Sequence, residues 1–80
     1  MPLVLYQRDD CALCDEAIDV LARAGVPDFS SIWIDNDMEL EVLYGDRVPV
    51  LRDLVSGREI DWPFDERKLA GFLDPGMPQT

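Results

Sequence analysis

The stretch Leu3-Val4-Leu5-Tyr6-Gln7-Arg8-Asp9-Asp10-Cys11-Ala12-Leu13-Cys14 decides how this chain is read. It opens on a short continuous apolar run, Leu3 to Tyr6, which suits a strand buried on both faces in the middle of a sheet. Arg8-Asp9-Asp10 breaks the run, and either aspartate suits the cap of a following helix. Beyond it Cys14, Ala17, Ile18, Leu21 and Ala24 recur at spacings of three and four, the signature of one helix face. Gly25 and Pro27 end that helix, a glycine just past the last turn and a proline beyond it.

Working outward, Phe29-Ser30-Ser31-Ile32-Trp33-Ile34-Asp35 reads as a second strand. Strand, helix and strand then make a right-handed crossover with the two strands parallel. Asn36 or Asp37 starts a short helix: Asn36 and Glu39 have capping-box spacing, Leu40, Leu43 and Tyr44 share a face, and Gly45 ends it. Val48-Pro49-Val50-Leu51-Arg52 and Arg58-Glu59-Ile60-Asp61-Trp62 form a hairpin around Ser56-Gly57. Asp65 caps a last helix, with Leu69, Phe72 and Leu73 on its buried face. The order β-α-β-α-β-β-α predicts a small α/β domain, a mixed four-stranded sheet of two parallel and two antiparallel strands flanked by helices, over residues 1–74. Residues 75–80, containing Pro75-Gly76-Met77-Pro78, are expected to form a mobile tail.

The chain has 80 residues, with 7 Lys+Arg against 17 Asp+Glu, no His and a net charge of −10. A chain of this length is one domain and buries roughly 60% of its unfolded surface. At 48% apolar it is too hydrophobic for a disordered acidic tail. Scattered cations argue against nucleic acid and anionic membranes, and no apolar run approaches the ~20 residues that span a bilayer. The N-terminus lacks the basic and long apolar regions of a signal peptide, so a cytoplasmic protein is expected. Without histidine, Ser-His-Asp and Cys-His nucleophiles and His-containing zinc sites are excluded. Cys11 and Cys14 alone do not supply a four-cysteine metal site, although a dimer could share a cluster. Nor does so short a loop gain much from a structural disulfide, least of all in a reducing cytosol. No bound cofactor or metal is expected.

Cys11-Ala12-Leu13-Cys14 is then the chemistry-bearing motif. Cys14 falls on the apolar helix face and points into the core. Cys11 falls at or before the first turn, where unpaired N–H groups and the helix dipole favour an anion. Cys11 is the nucleophilic thiolate and Cys14 the buried resolving thiol, at a spacing that meets disulfide geometry.

These residues resemble a glutaredoxin of the thioredoxin fold, and especially the small bacterial glutaredoxin-like proteins. The resemblance covers residues 2 to 74 and is carried by Arg8-Asp9-Asp10-Cys11-Ala12-Leu13-Cys14, by Val48-Pro49-Val50-Leu51 and by Asp65. It implies a cis-proline at Pro49 facing Cys11, and a Val48 backbone that pairs with the substrate as an added strand. It also implies Arg8 as the holder of glutathione's glycine carboxylate and Asp65 as the partner of its γ-glutamyl amine. From the residues themselves, Pro49 also suits a trans proline opening an edge strand, Arg8 a solvated charge neutralising Asp9 or Asp10, and Asp65 a plain cap. Ala12-Leu13 replaces the family's usual Pro-Tyr, and Pro63-Phe64 its double glycine, which removes room for backbone to approach glutathione. Trp62, Phe64 and Tyr6 offer a patch for a protein partner, or core packing for at least two of them.

Asp9, Asp10, Asp15 and Glu16 surround Cys11, so it is expected to be a weaker thiolate than in typical glutaredoxins and its disulfide more reducing. The net charge should repel glutathione and favour basic partners. The function expected is a monomeric thiol–disulfide oxidoreductase acting on protein disulfides or glutathione mixed disulfides. Its electron donor would be glutathione as co-substrate or a flavoprotein reductase, with no nucleic acid or membrane partner. The alternative is a binding module, either a dimer holding an iron–sulfur cluster through Cys11 and glutathione or an adaptor without catalysis. Cys14 favours redox turnover, because cluster-binding glutaredoxins usually lack it. An arsenate-reductase-like or transferase activity lacks supporting residues.

Overall fold

The computed structural model describes residues 3–26 and 28–73. Strand β1, Leu3–Gln7, is buried along its whole length because it lies inside a four-stranded sheet of order β2-β1-β3-β4. Alternation along β1 sends its side chains to two cores. Leu3 and Leu5 join Ala17, Val20 and Leu21 of helix α1 (Ala12–Arg23) and Leu69 and Phe72 of helix α3 (Glu66–Leu73). Val4 and Tyr6 join Tyr44 of helix α2 (Met38–Tyr44) on the opposite face. An apolar run without polar alternation is thus the requirement of a strand covered by helices on both sides.

The β-α-β-α-β-β-α order and the mixed sheet are as the sequence predicts. The pairing is also as expected, β1 and β2 parallel with Val4 opposite Ser30 and β3 and β4 antiparallel, and the two halves join where β3 runs antiparallel to β1. Strand β2 is Ser30–Trp33 rather than the whole seven-residue run. It is the sheet edge, so Ile32 and Trp33 stay exposed, whereas Ile34 beyond it is buried and donates its N–H to the Gln7 carbonyl at 2.9 Å.

Helix α1 buries Val20 besides Cys14, Ala17 and Leu21, with Ile18 and Ala24 only packed against the rim. The stripe is therefore rotated from the one expected, and Val20 joins the core that holds Leu69 and Phe72 of α3. Gly25, at φ +74°, ends α1. Its N–H bonds to Ala22 O and the N–H of Val26 to Leu21 O, the paired closure that a left-handed residue allows. The expected role of Pro27 lies outside the described residues. Helix α2 is capped by Asp37, whose Oδ1 accepts from the Leu40 N–H at 3.1 Å. The Asn36–Glu39 capping box does not form, and Leu43 is exposed because so short a helix buries only the sector of Leu40 and Tyr44.

Strands β3 (Val50–Asp53) and β4 (Glu59–Asp61) form the expected hairpin. Its turn is held by Asp53, whose Oδ1 accepts from the N–H of Val55, and by Gly57 at φ +78°. The structure places Asp65 at the start of α3, its Oδ1 accepting from the Lys68 N–H at 2.8 Å. The tail expected over 75–80 lies outside the described residues. Among the described residues no helix is long and apolar enough to cross a membrane.

Candidate redox site

The polypeptide leaves β1 at Gln7, turns through Arg8-Asp9-Asp10 and enters α1. Cys11 itself is the N-cap, in extended conformation, and its Sγ accepts a hydrogen bond from the Cys14 N–H at 3.1 Å. Neither Asp9 nor Asp10 caps the helix, in contrast to the expectation. The Asp9 N–H is tied to Asp35 at 3.1 Å, and Asp10 has φ +54°, so the chain turns before either carboxylate can reach the free N–H groups. Cys11 is partly exposed, whereas Cys14 is only 1% exposed. Their sulfurs lie at disulfide distance, with Cα atoms 5.2 Å apart.

The approach loop is fixed from α2. Arg8 donates through Nη1 and Nη2 to the two carboxylate oxygens of Glu41, at 2.8 and 2.7 Å, and through Nη2 to the Gly45 carbonyl at 3.0 Å. Arg8 therefore does not neutralise Asp9 or Asp10 as the plain reading had it. Donating to Glu41 raises the pKa of the Arg8 guanidinium further, and accepting from Arg8 holds the Glu41 carboxyl below its ordinary value. Asp9, Asp10, Asp15 and Glu16 are exposed and enter no ion pair among the described residues.

Val48-Pro49 precedes β3, whose first residue, Val50, pairs with Tyr6, so it stands at the end of the sheet from which the cysteine loop departs. The Val48–Pro49 peptide is cis, and so is Trp62–Pro63, which nothing in the sequence singled out. Pro49 is fully buried and its carbonyl accepts from the Trp62 N–H at 3.1 Å. The Val48 N–H is engaged within the fold, donating to Tyr44 O at 3.0 Å. Asp65 stands apart from Arg8 in the chain's hydrogen bonding and serves α3 as its cap. The aromatic patch does not form: Tyr6 stacks on Tyr44 with centroids 4.2 Å apart, and Phe64 is buried with Trp62 set edge-on against it at 5.1 Å.

Two parts of this neighbourhood escaped sequence reasoning. Asp35 and Glu41 hold the loop from 26 and 33 residues away, a separation at which no local pattern signals a contact. Further along the same face, Glu59 accepts from the Tyr44 hydroxyl at 2.6 Å, from Arg47 at 2.7 Å and from Arg52 at 3.1 Å, while Arg47 also grips Asp61.

A family model described as a glutaredoxin-like domain (DUF836) matches residues 2–74. The chain belongs to the glutaredoxin-like domain family. Its fold agrees with solved structures of Northeast Structural Genomics target protein XcR50 from X. campestris. The X-ray structure is 56% identical with a TM-score of 0.87, covering 94% of this chain and 99% of that one. The solution structure of the same target is 55% identical with a TM-score of 0.86, covering 100% of both. The solution structure of Ne2328 from Nitrosomonas europaea is similar at 32% identity and a TM-score of 0.76, covering 89% of this chain and 88% of that one. No curated protein matches the chain.

Within this glutaredoxin-like domain, the paired cysteines have a chemistry set by position. An anion on Cys11 gains from the Cys14 N–H and from the N-terminal end of α1. Cys14, by contrast, lies inside the core with its sulfur at disulfide distance from Cys11.

Proposed function

We propose that this glutaredoxin-like protein is a thiol–disulfide oxidoreductase, a small carrier of electron pairs. The observation that carries this reading is the asymmetry of the pair: Cys11 caps α1 partly exposed, and Cys14 lies buried one turn further on. The Cys11 thiolate attacks a substrate disulfide, one thiol leaves, and a mixed disulfide remains. Cys14 then gives up its proton and attacks Cys11 Sγ, which releases the second thiol and leaves the Cys11–Cys14 disulfide. Two electrons have passed to the substrate. Protein disulfides and glutathione mixed disulfides are the substrate classes, and glutathione or a flavoprotein reductase restores the dithiol. The cycle belongs in a reducing compartment such as the cytoplasm.

Reduction of insulin and of a glutathione mixed disulfide, each with glutathione and with a thioredoxin-reductase-type flavoprotein as donor, tests the proposal. Turnover with one donor, abolished in Cys11→Ser, is the expected result. Absence of turnover with both donors refutes it.

A further inference from the structure

Arg8 is the cation nearest the dithiol in the sequence, and its guanidinium already makes three hydrogen bonds within the fold. Glu41 meets it with both carboxylate oxygens, in the fork geometry an arginine otherwise offers to a ligand carboxylate. Among the other cations, Arg23, Arg47 and Arg52 are likewise paired with carboxylates. Arg58 and Lys68 donate to the Phe72 and Pro63 carbonyls, and Arg67 is exposed on α3. On either side of Cys11, by contrast, Asp9, Asp10, Asp15 and Glu16 are exposed and outside every ion pair among the described residues.

We infer that Glu41 determines substrate charge preference: by pairing with Arg8 it leaves the surroundings of Cys11 negative, so the dithiol reacts faster with cationic disulfides than with carboxylate-bearing ones, glutathione mixed disulfides among them. The inference rests on the redox reading above and gives its site a substrate class, disulfides flanked by lysine or arginine. Glu41 touches no reacting atom. It acts through Arg8, whose charge it offsets and two of whose donors it holds.

Pre-reduced protein mixed in a single turnover with three disulfides tests this: cationic cystamine, anionic 3,3′-dithiodipropionate and neutral 2-hydroxyethyl disulfide. Each reaction oxidises one Cys11–Cys14 dithiol and yields two small thiols. Dividing each rate by that of free dithiothreitol with the same disulfide cancels intrinsic reactivity. The cationic-to-anionic ratio should exceed unity by roughly five-fold at low ionic strength and shrink towards unity as salt screens the charges. Glu41→Gln should lower it by roughly two-fold or more, Glu41→Asp should keep it, and Arg8→Gln should raise it. Loosening of the loop alone would move both neutralising variants the same way, so opposite shifts identify the charge. A wild-type ratio of unity, a ratio insensitive to salt, or Arg8→Gln moving it downward overturns the inference. If every disulfide reacts equally, the specificity alone falls. If none reacts, the redox reading falls with it.

Discussion

The backbone N–H of Cys14 donates to the Sγ of Cys11 across 3.1 Å, so the residue that would resolve a mixed disulfide also solvates the sulfur that forms it. The bond is made by main chain, so it should survive replacement of the Cys14 side chain. Cys14→Ser should therefore retain a reactive Cys11 while removing the resolving thiol. Mass spectrometry after mixing with 2-hydroxyethyl disulfide should show a persistent adduct on Cys14→Ser, an adduct-free oxidised wild type, and no reaction in Cys11→Ser. A Cys14→Ser protein that stays unmodified would place the nucleophile elsewhere.

Reactivity of Cys11 is set by opposed influences. The helix end and the Cys14 N–H favour the thiolate, and Asp9, Asp10, Asp15 and Glu16 oppose it. Replacing Asp10 and Asp15 together by asparagine should move the thiolate absorbance midpoint to lower pH and make the disulfide more oxidising. An unchanged midpoint would mean that solvent screens these carboxylates from the sulfur.

Acid should unfold the protein through its carboxylate clusters. Burial pushes Glu59 up, but hydrogen bonds from Tyr44 and Arg47 outweigh it and hold the carboxyl below its ordinary value. Bonds from Arg47 do the same for Asp61, and the Val55 N–H does so for Asp53. A carboxyl whose folded value is depressed adds stability that is fully present above its unfolded value and is lost as pH falls through the folded one. Urea midpoints should thus be level near neutrality and fall below about pH 4. Glu59→Gln should be less stable at neutral pH and show a shallower acid limb. Parallel acid limbs in the two proteins would remove Glu59 from the account.

Packing dominates the fold's energetics. Leu51 is fully buried between β1 and β4. Leu51→Ala should cost roughly 2–5 kcal/mol in urea unfolding, a large part of the ~5–15 kcal/mol typical of a domain. Asp65→Ala removes only a helix cap and should cost about 1 kcal/mol. Leu13→Ala, at an exposed position, should stay within about 0.5 kcal/mol. Equal losses at Leu51 and Leu13 would contradict the assignment of the core.

The amino-acid sequence by itself determined the local elements. A four-residue apolar run marked the central strand, three-and-four spacing marked α1, Ser56-Gly57 marked the hairpin, and two cysteines three apart at a strand–helix junction marked the site. Each of these signals acts over a few residues, within reach of backbone sterics and nearest side chains, and they held to within a residue or two. Where they missed, a neighbour distant in sequence or a tight local turn had intervened. The α1 stripe turned towards Val20 under α3, the second strand shortened at an edge, and Asp9 and Asp10 were drawn off the cap by Asp35 and by the loop's own turn.

Only the tertiary structure decided what the charges near the dithiol do. Arg8 reads in sequence as a spare cation beside two aspartates, yet it is claimed by Glu41, 33 residues on. Glu59 reads in sequence as one residue of a hairpin strand, yet it gathers Tyr44, Arg47 and Arg52. Ion pairs of this kind follow from which helix lies over which strand end. Coulombic partners are selected by distance in space, and a sheet of order β2-β1-β3-β4 brings together residues that no periodicity relates.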